Sequence, residues 1–516
     1  MLAGCATLPP GAAYPKAPSV AFAEPLATSL GRDAASLSRA HPGRSGVRLF
    51  AHGEDGLVLR AQIVQAAQRS LDIQYYIFIE DDTGKVLTNE VRKAADRGVR
   101  VRLLVDDYNL YGHPETRATL DALDHHRNIE IRIFNPLSYR GDVALAHRLD
   151  VALNAPRLNH RMHNKLFVAD NAVAIVGGRN VADGYFEVGT PPYRFGDFDL
   201  AVVGPVVADL SRSFDEFWNS SLAIPQPALG AFADTKARGD DELPGSPEAF
   251  AKLTRRIASG EPLRGLLRAK LPLAWGPARV VADSPDKALA GGEGDASPTS
   301  REIVTQLQAV QRDLVVISPY FVPGQDGLAS FRKMRDNGVR VRLLTNSLAS
   351  TDVPAAHGGY RRYRGPLLDA GVEIHEVRPV PGKRSGEEHG SGSGSGSSGA
   401  SSAPFALHAK AFVFDRTTVF LGSANLDPRS RAINTEVGLV IESPELASQI
   451  IDRFEEFAAE SKSYKVTVDG AATERPLRWS AIVDGKRVQW TDEPETTPQQ
   501  RLKVDLLSVL PIEPLL

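Results

Sequence analysis

Two short stretches of the sequence carry the same set of reactive and hydrogen-bonding side chains at the same spacing. In each, a histidine is followed by a lysine two residues later and by an aspartate five residues beyond the lysine. Small residues and an asparagine complete both copies, which comprise His163, Lys165, Asp170, Gly177, Gly178 and Asn180 and then His408, Lys410, Asp415, Gly422, Ser423 and Asn425. One such motif could arise by chance, whereas two at matching spacing indicate a shared chemical role.

The side chains of the two motifs suit a reaction at a phosphodiester. One imidazole can attack phosphorus as a nucleophile while a second donates a proton to the departing alcohol. Lysine and asparagine are donors for the non-bridging phosphate oxygens, whose charge must be stabilised during the attack. Because each copy supplies one histidine, we expect a single site that is completed where the two copies meet. The aspartates lie past the ends of the predicted strands at 166–168 and 411–414, where they are better placed to brace than to react.

A nucleophilic histidine must be neutral and have a defined tautomer, which requires a carboxylate or carbonyl on its other ring nitrogen. Glu436, eleven residues after Asn425, is the predicted partner of His408. Asp199 occupies the comparable place in the first copy and is the predicted partner of His163. Asp197 is close enough in sequence to remain an alternative.

The motifs lie within a long internal repeat. The heptapeptide GVRVRLL occurs at 98–104 and again at 338–344, and the two histidines are 245 residues apart. Around each heptapeptide the pattern predicts a strand, a helix and a second strand, at 71–78, 86–97 and 99–105 and again at 314–321, 327–335 and 339–344. A duplicated α/β unit is therefore predicted, with two similar lobes.

The predicted organisation has five segments. They are a start and Pro/Ala-rich tether at 1–45, a first lobe at 46–224, a connecting segment at 225–300, a second lobe at 301–463 and a hairpin with an apolar tail at 464–516. A helix is expected near 452–462, and Asp484-Gly485 is typical of a hairpin turn. The Gly/Ser-rich run 385–402 is expected to be mobile, either beside the mouth of the site or as an unstructured insertion. The tail is expected to dock on the protein's own core.

Composition narrows the possible partners. The 516 residues include 60 Lys and Arg against 63 Asp and Glu, a formal charge of -3, so no general basic field is available to attract nucleic acid. No apolar run reaches the length of a membrane-spanning helix. Cys5 is the single cysteine, which excludes disulfides and a thiolate zinc site. Leu2 to Cys5 resembles a lipobox, but Met1 stands directly before it, so either the start lies upstream or the match is chance.

The paired motifs resemble those of the phospholipase D superfamily. Longer stretches are similar to bacterial cardiolipin synthases of the C type, among them MHNKLFVADNAVAIVGGRNVADGYFE, SPYFVPG, LTNSLASTDV, LGSANLDPRSRAINTEVGLVIES and SVLPIEPLL. This resemblance implies an α/β fold of two pseudo-twofold related lobes, each a mixed sheet flanked by helices, with one active site between them. It also implies a phosphohistidine intermediate without metal or other cofactor. By analogy His163 is the nucleophile and His408 the general acid, with the reverse assignment open.

The same resemblance implies that Asp170 and Asp415 form bracing salt bridges and that Gly178 and Ser423 contact substrate. The implied reaction moves a phosphatidyl group between phospholipids, phosphatidylglycerol and also phosphatidylethanolamine, at a membrane surface, with an accessory protein as a further partner and no nucleic acid. The expected location is a periplasmic lipid anchor at Cys5 if the start lies upstream, and otherwise the surface of the inner membrane. Two other functions remain open, a hydrolase of phospholipid or nucleic acid and a non-catalytic lipid-binding relative.

Overall fold

The structure, a computed structural model, describes residues 8–141, 143–230, 247–268, 270–289, 297–379, 403–468, 476–509 and 513. The predictions for Cys5 and for the Gly/Ser-rich run 385–402 lie outside these residues.

The first lobe is built on a nine-stranded mixed sheet. Its strands, with β7 outside the sheet, are β1 (Ser45–Phe50), β2 (Ser70–Tyr75), β3 (Arg100–Asp106), β4 (Ile129–Phe134), β5 (Leu166–Ala169), β6 (Val173–Gly177), β7 (Arg194–Gly196), β8 (Asp199–Val203), β9 (Ala223–Pro225) and β10 (Ala274–Gly276). The helices are α1 (Ser29–Ser38), α2 (Gly53–Ala66), α3 (Asp82–Asp96), α4 (Pro114–Asp124), α5 (Ala144–Leu153), α6 (Ala155–Leu158), α7 (Asp183–Phe186), α8 (Val206–Asn219), α9 (Pro247–Ser259) and α10 (Glu261–Leu267).

The second lobe is built on a ten-stranded mixed sheet. Its strands, with β15 outside the sheet, are β11 (Ala278–Ala282), β12 (Asp313–Ile317), β13 (Arg340–Asn346), β14 (Glu373–Val377), β15 (Phe405–Leu407), β16 (Ala411–Phe414), β17 (Thr418–Gly422), β18 (Val437–Glu442), β19 (Ser463–Val468), β20 (Leu477–Val483) and β21 (Lys486–Trp490). The helices are α11 (Pro298–Ala309), α12 (Gly324–Asp336), α13 (Pro354–Asp369), α14 (Pro428–Ala432), α15 (Pro444–Ala458) and α16 (Pro498–Val509).

The two sheets repeat one topology, which confirms the predicted pair of mixed α/β lobes. The order β8-β6-β5-β2-β3-β4 in the first matches β18-β17-β16-β12-β13-β14 in the second. In each, the three strands that begin with β2 or β12 are parallel and the others are antiparallel. The repeated heptapeptide enters β3 and β13 through Gly98 and Gly338, whose φ angles of 95° and 81° suit glycine at a helix end.

Helices α8 and α15 lie between the sheets and join the lobes. One continuous apolar cluster includes Phe214 and Phe217 from α8, Ile450 and Phe454 from α15, and inward-facing side chains of both sheets. Separate clusters lie on the outer faces, under α2 and α3 in one lobe and under α12 and α13 in the other. The shared central layer fixes the inner edges of the two sheets relative to each other.

The structure corrects several predicted segments. Within the predicted tether, Lys16 donates to the carbonyl of Ala223 at 2.7 Å and Arg102 donates to that of Ser19 at 2.9 Å, so this part lies against the first lobe. The predicted connecting segment contains β10, which joins the first sheet, and β11, which joins the second. Backbone pairing along one edge of each sheet therefore orders residues that the prediction assigned to the connecting segment.

Two predictions at the C-terminal side fare differently. The hairpin of β20 and β21 turns at Asp484-Gly485 as predicted, and with β19 it extends the second sheet. The helix expected near 452–462 is wrong in its bounds, because α15 begins at Pro444, where the Ser443 hydroxyl accepts the Leu446 N–H. The described part of the tail, α16, packs against α13.

Candidate active site

Each motif histidine is hydrogen-bonded through its backbone to the opposite lobe. The His163 N–H donates to the Thr435 carbonyl at 2.9 Å, and the Thr435 N–H donates to the Arg161 carbonyl at 3.0 Å. On the other side β15 pairs in parallel with β7, and the His408 N–H donates to the Gly196 carbonyl at 2.7 Å. The segment on the far side of each contact leads directly into a carboxylate.

The imidazole–carboxylate pairs consequently cross between the lobes. His163 Nδ1 lies 2.9 Å from Glu436 Oε2, and His408 Nδ1 lies 2.6 Å from Asp197 Oδ2. The predicted pairings of Glu436 with His408 and of Asp199 with His163 are therefore both wrong. They assumed that each lobe orients its own histidine, whereas the backbone bonds between lobes bring the carboxylate from the opposite side.

Strand register explains why Asp197 replaces Asp199. Gly177 pairs with Asp199 and Gly422 pairs with Gly438, so Asp197 and Glu436 each lie two residues before equivalent positions. Asp199 is buried and accepts hydrogen bonds from Arg60 at 2.9 Å and Arg179 at 3.1 Å. The negative charge of Asp199 is therefore paired with arginines of its own lobe.

Gly178 and Ser423 shape the two carboxylate sites. The Ser423 hydroxyl donates to Glu436 Oε2 at 2.5 Å, and the Ser430 hydroxyl donates to Oε1 at 2.8 Å. At the equivalent position in the first lobe, a Cβ on Gly178 would lie 2.2 Å from Asp197 Oδ1. Ser423 therefore holds the Glu436 carboxylate and Gly178 leaves room for that of Asp197, and their contact with substrate stays a prediction.

Both lysines are buried beside the histidines. Lys165 Nζ donates to the His163 carbonyl at 2.7 Å, and Lys410 Nζ lies 3.1 Å from His408 Nε2. Burial lowers the pKa of Lys410 to about 8 and that of Lys165 well below its usual value, and the nearby Lys410 ammonium lowers the pKa of Lys165 further. An anionic phosphate entering between them would stabilise both charged forms.

Both imidazoles are neutral near neutral pH. Burial lowers the pKa of His163 well below its usual value and that of His408 to about 4, and the adjacent lysine lowers each further. A neutral ring that donates from Nδ1 to a carboxylate keeps a lone pair on Nε2. Nε2 is therefore the nitrogen that can bond to phosphorus or carry a proton to an alcohol.

The two carboxylates differ in acidity. Burial alone would raise the pKa of Asp197, but its attraction to His408 and their hydrogen bond outweigh burial and lower the pKa to about 2. Burial raises the pKa of Glu436 to about 7, and Lys165 and the Ser423 hydroxyl oppose it only in part. Near neutral pH the first is ionised, whereas the second is close to half protonated.

The motif aspartates brace the strands at a distance from the imidazoles. Asp170 accepts the backbone N–H groups of residues 68–70, and Asp415 accepts those of residues 311–313. These backbone bonds stand where salt bridges were predicted. Both aspartates have positive φ angles, 52° and 50°, since the chain turns sharply between paired strands there.

The two motif asparagines are not equivalent. Asn180 Oδ1 accepts the Ile77 N–H at 3.1 Å, and its Nδ2 donates to the Tyr185 hydroxyl at 2.9 Å. Tyr185 in turn lies edge-on to His408, with ring centroids 5.0 Å apart. Asn425 Oδ1 is buried and has no hydrogen-bond partner among the described residues. Asn180 therefore positions an aromatic ring, whereas the Asn425 amide oxygen is left available to accept a hydrogen bond.

Aromatic walls are the part of the site that sequence reasoning missed. Tyr76 lies edge-on to His163 at 5.0 Å, and Tyr320 lies edge-on to His408 at 6.4 Å and donates to Asp352 at 2.9 Å. Tyr76 and Tyr320 lie outside the two paired motifs. Their place just after β2 and β12, the central parallel strands, is the signal that could have identified them.

The similarity to known proteins falls into two ranges, one in each lobe. A family model described as cardiolipin synthase, phospholipase D-like domain, matches residues 59–218 and 303–458. The chain belongs to this cardiolipin synthase family. It is thus a phosphatidyltransferase enzyme of the phospholipase D superfamily, as the sequence resemblance implied.

Individual relatives agree with the family. Cardiolipin synthase C of Escherichia coli K12 is 37% identical over 493 residues, which cover 92% of this chain and 97% of that protein. Cardiolipin synthase B of Salmonella typhimurium is 24% identical over 395 residues, 77% of this chain and 76% of that protein. The crystal structure of phosphatidylserine synthase from Haemophilus influenzae Rd KW20 shares the fold with a TM-score of 0.55 at 13% identity, covering 94% of this chain and all of that one.

Two further features of this cardiolipin synthase-family chain concern metals and membranes. Among the described residues, no group of three or more histidine, cysteine, aspartate or glutamate side chains is placed to hold a metal ion. Within the same residues, no helix combines the length and apolar character needed to cross a bilayer.

Proposed function

We propose that this enzyme is a cardiolipin synthase, which transfers a phosphatidyl group from one phospholipid to the hydroxyl of another through a phosphohistidine at His163. The crossed pairs carry the proposal, because they present two oriented imidazoles to one space beside two buried lysines. The similarity to cardiolipin synthase C along nearly the whole chain supports this choice of reaction.

In the first step, His163 Nε2 attacks the phosphorus of the donor phospholipid. Beside the anionic phosphate, His408 takes up a proton from water at Nε2, and the headgroup oxygen takes this proton as its bond to phosphorus breaks. Lys165 and Lys410 stabilise the charge on the non-bridging oxygens. The products are a phosphatidyl group bonded to His163 and a free alcohol.

In the second step, the reaction runs in the opposite direction with a new alcohol. His408, now neutral, removes the proton from the acceptor hydroxyl, whose oxygen attacks phosphorus. The bond from phosphorus to His163 breaks, which restores the neutral imidazole. With phosphatidylglycerol as acceptor the product is cardiolipin, and with water it is phosphatidic acid.

The acidity of the carboxylates supports the assignment of roles. A general acid must pass through the imidazolium form, which an ionised neighbour stabilises. Asp197, beside His408, has a pKa of about 2 and is therefore ionised near neutral pH. A nucleophile must be neutral, which suits His163 beside Glu436, whose pKa burial raises to about 7. His408 is therefore assigned as general acid and His163 as nucleophile.

The finer partners belong to the same proposal. Phosphatidylglycerol and phosphatidylethanolamine are the proposed donors, the enzyme works at a membrane surface, and an accessory protein is a further proposed partner. Lipidation of Cys5 is proposed as an anchor on the periplasmic side. In-frame translation of the DNA upstream of Met1 tests the anchor, since a start without a basic and apolar leader removes it.

The central test is product analysis with purified enzyme. Phosphatidylglycerol vesicles, with and without phosphatidylethanolamine, are incubated with the enzyme and the lipids are separated by mass. Cardiolipin as main product is expected. Phosphatidic acid in its place would make water the acceptor and overturn the synthase proposal, and a correctly folded enzyme without turnover would identify a lipid-binding relative.

A further inference from the structure

Helix α5 has an inverted distribution of polar and apolar side chains. Asp150 is its one buried side chain, whereas Leu145, Leu149 and Leu153 are 67%, 54% and 80% exposed. These leucines recur every four residues and so share one face of the helix. Surface helices of globular proteins normally place such a stripe against the core. Within the described part of the protein, therefore, no other element covers this apolar stripe of α5.

Polar contacts hold the opposite face of α5 to the first lobe. Asp150 Oδ2 accepts the backbone N–H groups of Ser138 and Tyr139 at 2.8 and 2.9 Å. The His147 ring stacks on Tyr111 with centroids 3.5 Å apart. Asn154, just after the helix, donates to Asp150 Oδ1 at 2.7 Å. The helix is thus held with its leucines facing outward.

The exposed apolar side chains are concentrated at this place. Of the fifteen large apolar side chains that are exposed in the described part of the chain, five lie between Val143 and Leu153. Single exposed apolar residues are ordinary on protein surfaces, but a contiguous cluster indicates an interaction site. Tyr108, 57% exposed, lies in the turn after β3, three residues before Tyr111, whose ring stacks on His147 of α5.

Two neighbours of α5 contact residues of the active site: the turn after β3, and α6, which follows α5 directly in the chain. Tyr108 stacks on Tyr76 at 5.2 Å, and Tyr76 lies edge-on to His163 at 5.0 Å. From α6, Arg157 donates to the Pro136 carbonyl at 2.9 Å. Asn135 Nδ2 donates to the carbonyls of Arg157 and His160, three residues before His163. A surface that takes up α5 would thereby meet the nucleophile's side of the site.

We propose that the outward face of α5, with Tyr108 beside it, docks into the headgroup and upper acyl region of a phospholipid bilayer. This inference rests on the proposed function, because the scissile phosphate of a membrane lipid lies at that depth. The charge of the face fits an anionic surface, since Arg148 is the single charged side chain that α5 exposes. Interfacial helices bury their apolar faces in this way.

The area of the exposed face favours a bilayer over a second copy of the chain as its binding partner. Ten helical residues span about 15 Å, and a helix is about 10 Å wide, so the footprint is about 150 Å². A stable protein interface needs about 800 Å² from each partner. A bilayer has no such minimum, because each leucine that leaves water contributes by itself.

The test compares two triple variants of the full chain in a Cys5→Ser background, which removes any acyl anchor. One carries Leu145→Gln, Leu149→Gln and Leu153→Gln, and its control carries Leu26→Gln, Val304→Gln and Ile482→Gln at scattered exposed positions. Flotation measures binding to vesicles of phosphatidylglycerol and phosphatidylcholine. The α5 variant is expected to bind at least about tenfold more weakly than the control. Equal binding overturns the proposal.

Turnover of a dispersed, short-chain phosphatidylglycerol separates this inference from the proposed function. The α5 variant is expected to keep the control's rate on that substrate and to lose rate only on vesicles. If neither protein turns over any lipid while their vesicle binding still differs tenfold, the proposed function fails and the docking surface stands. An equal loss on both substrates attributes the change to the site and overturns the docking role.

A spectroscopic probe covers the case in which the triple variant does not fold. The Cys5→Ser chain has no other cysteine, so Leu149→Cys can be labelled with a polarity-sensitive dye, with Val304→Cys as its control. The dye at position 149 is expected to report water alone and an apolar medium after vesicles are added. An apolar signal before vesicles, or a dimer in solution that dissociates in the α5 variant, identifies another occupant and overturns the proposal.

Discussion

The imidazole in each half of the site faces a carboxylate from the other half, but the two carboxylates have different surroundings. Asp197 is an acceptor for His408 and the Phe198 N–H, and a glycine, Gly178, leaves room for it. Glu436 is one methylene longer and is an acceptor for two hydroxyls and His163. The two copies of the repeat thus differ where the roles proposed for the two histidines require different protonation.

The largest expected effect is that of removing either imidazole. His163→Ala and His408→Ala should each lower kcat by about 10³-fold or more, because neither nucleophile nor acid can be replaced by its counterpart. The two variants should differ in whether they still form the covalent intermediate. When each is mixed with a donor that has a good leaving group and the reaction is quenched with acid, His408→Ala should carry covalently bound lipid. His163→Ala should carry none. The opposite pattern would reverse the assigned roles.

The carboxylates should respond to amide substitution with opposite changes in stability. Glu436 has a folded pKa of about 7, above its unfolded value, so its protonated form stabilises the fold below about pH 4.5 and that contribution is lost as the pH rises to 7. Asp197 has a folded pKa of about 2, below its unfolded value, so its contribution is present above about pH 4 and is lost as the pH falls through 2.

At pH 8, therefore, Glu436→Gln should raise the free energy of unfolding by roughly 2–3 kcal/mol, and Asp197→Asn should lower it by roughly 2 kcal/mol. Urea unfolding from pH 4 to 8 checks both values, and the gap for Glu436→Gln should close near pH 4.5. Both variants should lose activity, by about 10²-fold or more, since each disturbs the tautomer of its histidine. A stability change of the same sign in both would contradict the difference in acidity.

The imidazole–carboxylate pairs also show which parts of the site can be predicted from the sequence. The repeat fixed the two lobes and the lysines beside the histidines, because strand alternation places residues two apart on one face. The partners of His163 and His408 depend on two backbone contacts between lobes, at Thr435 and Gly196, which no local pattern encodes. Asp197 and Asp199 are told apart by the strand register, which the sequence does not show.

The glycine and serine beside the carboxylates offer a milder comparison. Gly178→Ala should lower kcat by about 10–100-fold, because its Cβ would displace the Asp197 carboxylate from His408. Ser423→Gly should cost less than about tenfold, since Glu436 keeps the Ser430 hydroxyl. Steady-state rates with unchanged folding by circular dichroism check both. A greater loss in Ser423→Gly would show that the serine contacts substrate, as first predicted.

The smallest effect on the chemical step is expected from the bracing aspartates, and here too the halves differ. Asp170 is fully buried and accepts a buried Ser70 N–H, so Asp170→Ala leaves donors without water and should cost roughly 3 kcal/mol of folding free energy. Asp415 accepts from Gln311 and Arg312, which are exposed, so water can replace it and Asp415→Ala should cost roughly 1 kcal/mol. Thermal and urea unfolding measure both losses, and kcat of the remaining folded enzyme should change less than about threefold, because neither carboxylate touches an imidazole. A large fall in kcat at full folding would instead place these aspartates in the reaction.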